Sequence, residues 1–62
     1  MDKASLLDYI KDIERKGLVL ANRSFECGTH TTKETTVLYR VAEEEFSTAI
    51  DNLRKQIISE GV

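Results

Sequence analysis

A chain of 62 residues with nine Lys and Arg, eleven Asp and Glu and a single Cys is sized for one domain, residues 1–62, and excludes an internal disulfide. Its 40% apolar and 32% charged residues are those of a globular chain, and its longest apolar run, Gly17-Leu18-Val19-Leu20-Ala21, falls far below the ~20 residues of a membrane-spanning helix. The net charge of −2 is uneven: residues 1–17 balance, 18–41 carry +1 and 42–62 carry −3, so the concentrated positive face that nucleic acid favours is missing.

The pattern predicts a first helix from Asp2 to Lys16. Leu6, Ile10 and Ile13 recur at helical spacing, with Leu7 and Tyr9 widening the stripe. Asp2 is placed to cap it by accepting a backbone N–H. Gly17 is placed to stop it in the left-handed conformation, with Arg15 and Lys16 complementing the helix dipole in the last turn.

From Leu18 a period of two fits. Val19, Ala21, Phe25 and Cys27 alternate on one face, and Thr36 to Val41 reads as a return strand with Val37, Tyr39 and Val41 facing the same way. The expectation is a two-stranded antiparallel hairpin joined through the threonine-rich stretch around Gly28 to Glu34. A second helix is expected from Glu43 to Glu60, carrying Phe46, Ile50, Leu53 and Ile57 on one face. Glu43, Glu44 and Glu45 would occupy its first turn and Gly61 would end it. The predicted fold class is therefore α+β, ordered helix–β-hairpin–helix, with both helices packed on the sheet.

Chemistry-bearing residues are sparse. Cys27 and His30 have the spacing of half a zinc site, but the sequence holds no further Cys or His to complete it. The same pair lacks the orienting group and pocket that nucleophilic catalysis requires. The three glycines are isolated, so no phosphate loop is present. The expectation is a chain without catalytic, cofactor-binding or metal-binding residues, not an enzyme.

Either the helices sandwich the expected hairpin, one on each face, so that Leu20 and Leu38 are core, or both cover the face bearing Val19, Phe25, Val37, Tyr39 and Val41 and the other face is left bare. It carries Leu20 and Leu38, framed by Arg23 and Arg40, and apolar surface rimmed by polar groups marks contact sites. These four residues are the predicted partner-binding set. A core of this size is thin, and a lone cysteine with no basic-then-apolar leader points to a reducing, cytoplasmic setting. The reading that results is a small binding or regulatory protein acting through protein–protein contact, as a homodimer, of the size of phage or mobile-element accessory and inhibitor proteins. Two alternatives stand beside it. One is a nucleic-acid-binding regulator using the hairpin as a β-ribbon arm. The run from Val37 to Ile57 resembles the start of a ribbon–helix–helix repressor, yet those domains follow the strand with two helices and this chain has one. The other is a structural assembly part resembling a phage head–tail joining protein.

Overall fold

The computed structural model describes residues 2–60, and they form two helices and nothing else. Helix α1 spans Lys3–Thr29 and helix α2 spans Lys33–Ser59. His30, Thr31 and Thr32 turn the chain between them. The helices run antiparallel as an αα-hairpin, 45 × 17 × 12 Å in extent. The long dimension is that of a helix of this length at ~1.5 Å per residue.

The α+β expectation is overturned: among the described residues there is no strand. Residues 18–27 continue α1, and residues 36–41 belong to the first turns of α2. The cause is visible at Gly17. It does not stop the helix; it lies in the middle of α1, where the Phe46 ring of α2 lies against it. A Cβ built at Gly17 would sit 3.0 Å from Phe46 Cε1. Glycine weakens a helix interior by about 1 kcal/mol, and here it lets an aromatic ring rest on the backbone of the facing helix. Once α1 runs through Gly17, the apolar positions of the supposed first strand join a longer pattern. Leu6, Ile10, Ile13, Gly17, Leu20 and Cys27 follow spacings of three, four and seven, the heptad of a helical seam. In α2, Tyr39, Phe46, Ile50, Leu53 and Ile57 do the same.

The caps explain the ends. Asp2 is the N-cap of α1, as its position suggested: its Oδ1 accepts a hydrogen bond from Ser5 N at 2.8 Å. This bond holds the Asp2 carboxyl below its ordinary value. The threonine-rich stretch is cap chemistry rather than strand. Thr32 is the N-cap of α2, its Oγ1 accepting from Thr35 N at 3.1 Å while Thr32 N donates to Thr35 Oγ1 at 2.9 Å. That reciprocal pair is a capping box with Thr in place of the usual Glu or Gln. Thr35 Oγ1 also donates to His30 O at 2.7 Å, and Thr31 Oγ1 to Cys27 O at 2.6 Å, closing the turn. With α2 starting at Lys33, Glu43, Glu44 and Glu45 lie mid-helix, and Arg15 and Lys16 lie mid-α1. None of these charges has the helix-end role expected of it. Gly61 lies outside the described residues.

The core is thin. Among the described residues only Ala42 and Ala49, 4% and 3% exposed, are buried. Phe46, Ile50, Leu53, Ile13 and Leu20 are half-buried, and no large side chain among the described residues is fully covered. Small residues at the contact let the two helices approach closely, and the large side chains lean past the seam.

Candidate protein-contact surfaces

Three contacts fix the register of the hairpin. Lys16 Nζ pairs with Glu45 Oε2 at 3.4 Å, Gly17 faces Phe46, and Cys27 Sγ lies 3.9 Å from Thr36 Oγ1. The first two flank the seam. Lys16 and Gly17 are neighbours in α1, Glu45 and Phe46 are neighbours in α2, and successive helix positions diverge by ~100°. The ion pair therefore marks one edge and the glycine–aromatic contact the other, giving the flat molecule two unlike broad faces.

The face on the ion-pair side is polar at its centre. Asp12, Lys16, Glu44, Glu45, Thr48 and Asn52, with the edge of Ala49, line an open depression there. The face on the Phe46 side carries an apolar stripe. Ile10 lies two turns before Gly17 on the same side of α1, and Ile50 and Ile57 follow Phe46 on the same side of α2. Ile10 and Ile57 are 36% and 43% exposed. A third surface is the outer side of α1, away from α2. Leu7, Leu18 and Phe25 fall on one line there, spaced by whole turns. Leu18 and Phe25 are 66% and 75% exposed, the latter the most exposed of the large apolar side chains among the described residues.

The four residues expected to form one contact patch are redistributed, because the sheet face that was to unite them does not exist. Leu20 and Leu38 are half-buried along the hairpin. Arg23 is half-buried and pairs along its own helix with Glu26, Nη1 to Oε2 at 3.2 Å. Arg40 is exposed, and with Thr31, Thr32, Lys33, Thr36 and Val37 it lines an open depression beside the turn. The exposed ridge of Leu7, Leu18 and Phe25 was missed. A strand assignment put Phe25 on the inward face and left Leu18 at a helix stop. Continuing the 3.6-residue period through Gly17 is the signal that finds it.

Cys27 is a free, half-buried thiol, and His30 is the exposed C-cap of α1. Among the described residues, no group of three His, Cys, Asp or Glu is arranged to hold a metal ion. No helix of the described residues is long and apolar enough to cross a membrane. Comparison with protein-family models, with curated proteins and with solved structures found no match.

Proposed function

We propose that this chain is a non-catalytic binding protein that acts by protein–protein contact, presenting the outer ridge of α1 to a partner. The observation that carries the reading is the alignment of Leu7, Leu18 and Phe25 on the side of α1 that faces away from α2. Phe25 makes no use of α2, and aromatic anchors of this kind contribute a disproportionate share of binding energy at interfaces. Leu18 and Phe25, two turns apart on the outer side of a helix, with Leu7 three turns before them, fit helix-in-groove or helix-on-helix docking. Lys11, Glu14 and Asn22 border the line and would supply the polar rim. A regulatory or inhibitory role in a reducing compartment suits a small protein that works by occupying a surface. The alternatives had rested on a β-ribbon arm and on a helix–hairpin–helix order, neither of which the described residues contain.

Affinity purification from the native host with the intact chain, compared with Leu18→Glu and Phe25→Glu, tests the proposal. A protein enriched by the wild type and lost from both variants is the expected result. Enrichment of no protein, or of one that both variants still retain, would overturn it.

A further inference from the structure

We infer that the broad face bearing Ile10, Phe46, Ile50 and Ile57 is covered by a second copy of this chain, giving a four-helix bundle. The inference deepens the protein-contact reading by naming the occupant of a different face, and it does not depend on the ridge of α1.

Heptad spacing in both helices is the signature of helices that pack in a bundle. Within one hairpin the buried positions are Ala42 and Ala49, which lie beside the large apolar stripe rather than on it. The large side chains are turned off the intramolecular seam toward a common face, half-covered by the neighbouring helix and open on the other side. That is the arrangement of one half of a bundle, with small residues inside each pair and bulky ones directed at the centre.

A chain of 7.0 kDa folded as a compact monomer would expose about 4,040 Å². This one exposes 4889 Å², an excess of roughly 850 Å². Each partner in an interface of standard size contributes ~800 Å². The excess is thus of the size that one hairpin would bury against another.

A hairpin with two buried alanines has little to offset the conformational entropy of ordering its helices. Its cover must be present whenever the chain is folded, and another copy is the occupant always available. A two-fold interface also has to be complementary to itself. The Phe46 side fits that condition better: its stripe of Ile10, Phe46, Ile50 and Ile57 is flanked by charges of both signs, Lys3 and Arg54 toward the termini and Glu43 toward the turn. The opposite face, lined by Asp12, Glu44 and Glu45 around Lys16, would place acids against acids.

Sedimentation equilibrium on the full chain tests the inference. The wild type should sediment as a dimer. Ile10→Ala and Ile57→Ala, mild enough to leave folded protein at high concentration, should each raise the dissociation constant at least ~10-fold. Leu18→Glu, on the outer side of α1, should leave it unchanged. A monomeric wild type overturns the inference, as does a trimer or larger assembly. A dimer indifferent to both alanine variants but lost in Leu18→Glu assigns the contact to the outer ridge and overturns it as well. A monomer that still captures a host protein through Leu18 and Phe25 would refute the dimer while leaving the proposed function standing. A dimer with no captured protein would do the reverse.

Discussion

At the scale of single residues, the two described glycines make opposite demands. Gly17 has the Phe46 ring against it, so a bulky side chain must displace that ring. Gly17→Leu should cost roughly 1–3 kcal/mol by overpacking, although leucine is the better helix former. Around Gly28 there is open space. Gly28→Ala should therefore stabilise α1 by roughly 0.5–1 kcal/mol. Chemical denaturation of the two variants checks the pair, and the same sign for both would show that the ring contact is not what sets the requirement at Gly17. Thr32→Ala removes a cap and half of a capping box and should cost about 0.5–2 kcal/mol in the same assay. The Asp2 cap was legible from sequence, since a carboxylate ahead of an amphipathic run has one evident use. Its depressed pKa means that its stabilisation is present above the ordinary carboxyl value of 3.8 and is lost as the pH falls through its lower folded value. Fraying of the first turn of α1 should accordingly begin only in strongly acidic solution, and amide exchange at Ser5 followed across that range would detect it.

At the scale of elements, the apolar faces of residues 6–13 and 46–57 were readable because the helical period is uninterrupted there. Residues 18–27 and 36–41 misled for a physical reason. Over six to ten residues, apolar side chains at alternate positions satisfy a period of two and one of 3.6 nearly equally. Gly17 and the threonines then tipped the reading toward strand. What resolves the ambiguity is tertiary: Phe46 needs a glycine opposite it, and the threonine hydroxyls have helix-end partners to bond. The alanines carry a further prediction. Ala42 and Ala49 are the buried positions between the helices, so Ala49→Leu should force the helices apart and destabilise the fold by about 1–3 kcal/mol. Thermal unfolding read by circular dichroism checks this; a neutral effect would mean that the seam has slack. The Lys16–Glu45 pair, in contrast, is partly exposed, and its coupling in a double-mutant cycle should stay below about 1 kcal/mol.

At the scale of the whole molecule, an expectation of self-association read from small size now has a different footing. The bare sheet face of Leu20 and Leu38 is gone, and with it the reason for grouping those residues with Arg23 and Arg40. In its place stand two long amphipathic helices that bury two alanines and leave their bulky residues half-open. The proposed dimer would make such a hairpin half of a core, and its folding should then be tied to association. The most direct measurement is the thermal midpoint of the wild-type chain, followed by far-ultraviolet circular dichroism over about a hundredfold range of protein concentration. The account predicts a helical spectrum without a sheet component and a midpoint that climbs steadily with concentration, as mass action requires of a folded dimer. A midpoint independent of concentration, or a spectrum with substantial sheet, would contradict it.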